Sequence, residues 1–354
     1  MQIFIIFVAL LITIDYMLTG IDNFVRLSLL GVVLFVVTAC TPRQDASYHV
    51  VQGSALGTFV EVRCPATVAS DEVVAMIERV DREAKMSMSI FDSCSLLSRI
   101  NRGETDSLDG HLMANIELAE RFSVLSDGRY DITVKPLTDA WGFGRERSMG
   151  AEPNIDSIME FVGYDRIEIV DGRLVREDIR TQIDLNSIAK GYTVDLMAEE
   201  LEAMGLNSYM VNIGGEIRSK GVNASGSTWR VGIETPYDNN FAMDSFEKII
   251  EVSNAAIATS GNYRRFHLDE DGNKVAHTIS PITGYSVVSE LLSATVVAPT
   301  CAEADAAATM LMACGSEGGA VELARRCAEE FGWGYYLIFA DGDNYRIECS
   351  AEYR

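Results

Sequence analysis

Residues 183–201 read IDLNSIAKGYTVDLMAEEL, a pattern that changes period halfway along. Ile183-Asp184-Leu185 has the alternation of a strand end that carries a carboxylate. Asn186 and Ser187 are small turn formers. Beyond Ala189, the apolar residues Val194, Met197, Leu201 and Met204 recur at helical spacing, and Gly205 suits the position just past a helix. The reading is strand, tight polar turn, helix. Such a junction gathers an acid (Asp184), a lysine (Lys190) and free backbone amides and carbonyls at one point. A phosphate ester and its metal can be held there, because helix N-termini attract anions. The same pattern also describes an ordinary capped helix with a surface lysine.

The flanks extend the same alphabet. On the N-terminal side, a strand is expected at 59–63 and helices at 71–84, 93–100 and 112–125, with Ile116, Ala119 and Phe122 on the buried side of the last. Residues 131–134 alternate as an extended piece that Pro136 ends, and residues 145–155 form a polar linker. A hairpin is expected across 166–176 through Asp171-Gly172. On the C-terminal side, a strand at 208–213 runs into Gly214-Gly215-Glu216, where paired glycines would let a flat ligand or a backbone lie close. Strands are expected at 229–233, 257–260 and 293–298, and a hairpin at 267–276. Helices follow at 301–314, ended by Gly315, and at 321–330. Two last strands, 334–340 and 344–349, join through Asp341-Gly342. Clustered strands with several hairpins argue for an α+β fold of mainly antiparallel sheet packed with helices.

Composition narrows the function. The chain has 354 residues, enough for a large core, and its 48% apolar content marks it as globular. A formal charge of −23 repels nucleic acid, so a bound phosphate needs a metal or a locally positive pocket. Residues 1–39 contain two apolar runs, the second ending in Val37-Thr38-Ala39-Cys40, the pattern of a bacterial lipoprotein signal. Cys40 is therefore the expected lipidation site, with 40–49 a tether and 50–350 the functional domain. Met17 offers an alternative start. Without 1–39 the body remains strongly acidic, since only Asp15, Asp22 and Arg26 are lost among charged residues. The remaining six cysteines show no metal-type spacing, so zinc is not expected. They read as small buried thiols, with disulfide pairing open.

Two further features bear on chemistry. Asp305 and Thr309 lie four apart in an alanine-rich helix, which stacks them on one small apolar face. Either Asp305 is an N-terminal acid stabilised by the helix dipole with Thr309 bonding back to a carbonyl, or the two form a hard-cation site completed by a backbone carbonyl, water and substrate phosphate. His277, beside Thr278 and Ile279, is either a hydrogen-bonded structural residue or a catalyst. No Ser-His-Asp spacing and no Walker-type phosphate loop is present.

Six separated blocks occur in an order that resembles the ApbE family of FAD:protein FMN transferases. They are GSALGTFVEV from Gly53, MSIFDSCSLLSRIN from Met88, GRYDITVKPLTDAWGFG from Gly128, IDLNSIAKGYTVD from Ile183, VNIGGEI from Val211, and ATSGNY from Ala258 through SPITGY to AEADAAAT. The resemblance implies a T-fold-related architecture and Mg2+-dependent transfer of FMN from FAD to a threonine of an exported flavoprotein, with release of AMP. It implies that Asp305, Thr309 and the main-chain carbonyl of Ser187 hold Mg2+. Leu56, Phe91, Arg129, Tyr130, Asp131, Asp184, Lys190 and Ile279 would contact FAD, with His277 giving acid–base or phosphate help. Acceptors in such a family are flavoprotein domains of sodium-pumping and related electron-transfer complexes, and the protein would be lipid-anchored to a bacterial membrane facing the periplasm. Three positions depart from the pattern. Leu56 replaces a usual Met, Ser280 replaces an Asp, and Phe91 stands where other members carry Tyr or Asn, residues that bias transfer against FAD hydrolysis. The alternatives are an FAD pyrophosphatase giving FMN and AMP, and a non-catalytic FAD-binding lipoprotein.

Overall fold

A computed structural model describes residues 47–144, 153–236, 246–262, 266–268, 274–342 and 344–354. The signal segment, Cys40 and most of the 145–155 linker lie outside these residues. Among the described residues no helix is long and apolar enough to cross a membrane.

The frame is an eight-stranded sheet. Its strands are β1 (Tyr48–Ala55), β2 (Thr58–Pro65), β5 (Tyr209–Ile213), β6 (Glu216–Lys220), β9 (Ala255–Gly261), β12 (Leu291–Ala298), β13 (Gly334–Asp341) and β14 (Asn344–Cys349). They lie side by side in that order, and every neighbouring pair is antiparallel. Three two-stranded ribbons stand apart: β3 (Ile167–Val170) with β4 (Arg173–Arg176), β7 (Trp229–Glu234) with β8 (Phe246–Val252), and β10 (Phe266–Leu268) with β11 (Lys274–Ala276). β1 starts at Tyr48, two residues inside the span read as tether.

Helices cover one face of the sheet. α1 (Ser70–Met88) and α6 (Ala189–Ala203) pack on β1, β2 and β5 through Val73, Ile77, Val80, Val194, Met197 and Leu201. α2 (Leu96–Asn101), α3 (Gly110–Leu125), α7 (Cys301–Cys314) and α8 (Ala320–Phe331) close over β9, β12 and β13. The β7–β8 ribbon covers part of the other face with Trp229, Val231, Ile233, Ile250 and Val252. β13 is therefore buried along most of its length, as expected for a strand covered on both sides. α4 (Lys135–Ala140) and α5 (Ile155–Met159) pack beside the sheet with Ile279.

Three expectations need correction. Residues 183–185 are extended but pair with no strand; only Gln182 bridges to Val134. The Ile183 backbone is satisfied instead by the Asn101 side chain, which donates to its carbonyl and accepts from its amide, both at 2.8 Å, and the Asp184 amide donates to the Ile132 carbonyl. Pro136 does not end an extended piece: it lies in the first turn of α4, where a missing N–H costs nothing. Gly214-Gly215 is the turn of a β5–β6 hairpin, with φ of 65° and 114°. A Cβ on Gly214 would meet the Thr58 methyl at 2.8 Å, so the close neighbour is β2. β8 was not foreseen. The cysteines are thiols: Cys64, Cys301, Cys314 and Cys327 are buried, Cys349 is half-buried and Cys94 exposed.

Candidate functional site

The site forms where α6 and α7 cross. Each helix begins with amides that lack intrahelical partners, and each supplies the other with a carboxylate. Asp195 of α6 accepts from the Cys301 and Ala302 amides at 2.9 and 2.8 Å. Asp305 of α7 accepts from the Gly191 amide at 2.9 Å. Glycine is required at 191, because a Cβ there would lie 2.2 Å from the Cys301 carbonyl oxygen. The exchange sets the two helices in register and buries Asp305 to 3% exposure.

Burial governs the charges. It raises Asp305 from 3.8 to about 7, against the pull of Lys190 and with the Glu216 carboxylate adding to the rise. Lys190, on the first turn of α6, pairs with Glu216 at the start of β6. Burial draws the Lys190 ammonium down, but Asp305 and Glu216 together hold it above its ordinary value. One Glu216 oxygen is buried without a partner. Three carboxylates thus crowd this pocket with Lys190 and Arg218 against them. Beside it, the Tyr130 hydroxyl and the Ser187 hydroxyl lie 2.9 Å apart. Burial pushes the Tyr130 phenol well up, and Asp305, Asp184 and Asp131 all add to that shift.

The neighbouring polar residues hold the walls. Asp131 accepts from the Thr133 amide at 2.7 Å, and burial raises it to about 6. Asp184 accepts from the Asn186 amide at 2.8 Å, and burial raises it too. Its own amide donates to the Ile132 carbonyl, tying the 128–134 segment to the turn. The Thr309 hydroxyl is 3.0 Å from that of Ser260 on β9, so it bonds across to the sheet. The Thr278 hydroxyl donates to Asn262, just past β9, which brings the His277 loop to the same end of the strand. The half-buried His277 ring meets Phe143 edge-on at 6.4 Å. Trp141 donates its indole N–H to the Gly284 carbonyl at 2.8 Å, closing the 280–285 turn onto the 128–144 segment.

The oxygen-rich donor set suits a hard divalent cation. Asp305 carries a charge that burial disfavours, the Glu216 oxygen is orphaned, and Thr309 and the Ser187 turn stand beside them. Among the described residues no three His, Cys, Asp or Glu side chains form a metal group, so an ion held here would also need hydroxyl and carbonyl oxygens.

The ApbE family model matches residues 56–331. The chain belongs to the ApbE family. The FAD:protein FMN transferase of Escherichia coli (strain K12) is 32% identical over 352 residues, covering 94% of this chain and 97% of that protein. The one from Vibrio cholerae is 34% identical over 278 residues, covering 76% and 82%. Among solved structures, the flavin transferase ApbE from Vibrio cholerae superposes with a TM-score of 0.77 at 32% identity, over 87% of this chain and 98% of that one. The ApbE protein of Thermotoga maritima gives 0.74 at 25% identity, over 86% and 97%.

In this ApbE chain the predicted residues fall into three groups. Asp305 and Lys190 lie at the α6–α7 crossing; Tyr130 bonds Ser187 of the turn before α6, and Asp131 and Asp184 lie on the two segments that the Asp184 amide and the Ile132 carbonyl join. Thr309 and His277 sit at the adjoining end of β9. Leu56 forms the tip of the β1–β2 hairpin with a left-handed φ of 49°, anchored by its amide on Asp81 at 2.7 Å. Phe91 is half exposed between α1 and α2, Arg129 donates to the Ser126 carbonyl, and Ile279 is buried with Leu137 and Ile155. Sequence reasoning missed Glu216, Asp195 and Asn101. Glu216 stood inside the quoted VNIGGEI block, but its lysine is 26 positions away. Asp195 closes the quoted IDLNSIAKGYTVD block and Asn101 the MSIFDSCSLLSRIN block, but neither was given a role.

Proposed function

We propose that this chain transfers FMN from FAD to a threonine hydroxyl of an acceptor protein and releases AMP. The observation that carries the reading is the buried Asp305, set against the N-terminus of α6 beside Lys190, in a chain aligned along 97% of a relative bearing the name FAD:protein FMN transferase. The threonine oxygen forms a bond to the FMN-side phosphorus, and the bond from that phosphorus to the AMP phosphate oxygen breaks. His277 is our candidate to take the hydroxyl proton.

Asp305, Thr309 and the Ser187 carbonyl would hold Mg2+. When bound, the ion neutralises the diphosphate charge that builds as the leaving group departs. Lys190 and the α6 N-terminus offer positive potential to the same diphosphate. Asp131, Asp184 and Tyr130 shape the wall against the flavin side. Water exclusion at this wall decides between transfer and hydrolysis, and Phe91, half exposed between α1 and α2, is the position that the family pattern ties to that balance. The Cys40 signal pattern supports an exported, lipid-anchored enzyme.

The test uses purified protein, FAD, Mg2+ and a flavoprotein domain bearing the acceptor threonine. Covalent flavin fluorescence on a denaturing gel is followed together with AMP release. A fluorescent acceptor band that disappears with Asp305→Ala is expected. AMP with free FMN and no band would replace transfer by hydrolysis. Bound FAD that stays intact would leave a flavin carrier.

A further inference from the structure

Asp195 on α6 and Glu216 at the start of β6 are both buried acids, and they are built differently. Asp195 engages both oxygens: Oδ1 accepts from the Cys301 amide at 2.9 Å and from Arg218 at 2.7 Å, and Oδ2 from the Ala302 amide at 2.8 Å. That is a closed structural cap. Glu216 engages one oxygen, Oε1, with the Lys190 ammonium, while Oε2 is buried without any donor. Buried acceptors left open are rare and call for an explanation. The Glu216 side chain is 4% exposed and that of Lys190 36%, so the acid is the more deeply buried partner. The lysine stands on the first turn of α6, within the field of Asp305. An ammonium there is a compact charge with three donors, of which the carboxylate takes one side.

We propose that Glu216 is a positioning residue for a nucleotide diphosphate. It holds the Lys190 ammonium beside Asp305 at the N-terminus of α6 and does not itself touch the ligand. This rests on the transferase reading in taking FAD as that ligand. A free lysine samples many rotamers and loses that freedom on binding. Glu216 removes that loss beforehand, from below, where it cannot compete with the phosphate for the outer face of the ammonium. Satisfying Oε2 from the protein would have turned the pair into a second closed cap like Asp195.

The test is a double-mutant cycle on FAD binding by the full chain, followed by flavin fluorescence in EDTA and again in Mg2+. The proteins are wild type, Glu216→Ala, Lys190→Ala and the double variant, with Glu216→Gln as the shape-conserving control. Lys190→Ala and Glu216→Ala are each expected to weaken FAD binding about tenfold, and the double variant no further than Lys190→Ala alone. Glu216→Gln, which keeps an acceptor oxygen, should recover part of the loss and keep the wild-type urea midpoint. Additive losses, or tighter binding by Glu216→Ala, overturn the inference alone. A wild-type chain that binds no FAD overturns the transferase reading and this inference with it.

Discussion

An alanine at Gly191 would place its Cβ 2.2 Å from the Cys301 carbonyl oxygen, 2.6 Å from the carbonyl carbon and 2.8 Å from the Asp305 Cβ. None of these atoms can swing aside, so α6 and α7 must part by roughly 1 Å to restore ordinary contact. Helix propensity pulls the other way, since alanine in a helix is favoured over glycine by about 1 kcal/mol. Overpacking costs about 1–3 kcal/mol. Parting the helices also weakens the Gly191 amide bond to the Asp305 carboxylate, and a bond to a charged group contributes about 1.5–3 kcal/mol. Sterics and the lost bond win, for a net destabilisation of about 2–4 kcal/mol. The assay is urea unfolding of Gly191→Ala against wild type. At an unchanged slope the midpoint should fall by about 1–2 M, and FAD-dependent transfer should fall with it as Asp305 shifts. A midpoint equal to or above wild type would show that the helix crossing is slack and that propensity governs.

Asn101→Ala removes both partners of the Ile183 backbone. Two buried groups are orphaned, so a loss of about 2–4 kcal/mol in urea unfolding is expected; a loss below about 1 kcal/mol would mean that water takes over both bonds. If Asp305 holds Mg2+ as proposed, metal binding is pH-dependent. Its folded value near 7 lies above the ordinary 3.8, so between these values the metal-free protein binds more protons than the unfolded chain, and its stability falls as pH rises through that window. Mg2+ must displace that proton, so its affinity by calorimetry should drop about tenfold per unit below pH 7. Equal affinities at pH 6 and pH 8 would refute the assignment.

Much of this was legible locally. α7 ends at Cys314 before Gly315, as its periodicity and glycine stop required. The Asp171-Gly172 pair made a hairpin turn, because both residues take the left-handed conformation, whereas at the last hairpin Asp341 still pairs with Asn344 and only Gly342 of the Asp-Gly pair turns left-handed. Less legible was what depends on partners. The alternation at 183–185 looked like a strand, but alternation reports only which sides are buried, and here a side-chain amide from α2 stands in for the neighbouring strand. β6 reads EIRSK, too polar to announce itself, and becomes a strand because β5 and β9 flank it.

The sequence by itself determined the local elements, the acidic character, and the residue types at the site, since these follow from side-chain period, turn chemistry and charge. It placed Asp305 and Thr309 on one helix face because helical spacing is fixed by the backbone. Only the tertiary structure decided that Asp195 and Asp305 cap each other's helices, that Glu216 stands under Lys190, and that burial lifts Asp305 to about 7. Those outcomes depend on contacts between segments 26 to 114 residues apart and on the exclusion of water between them. Neither quantity is written in any local stretch of chain.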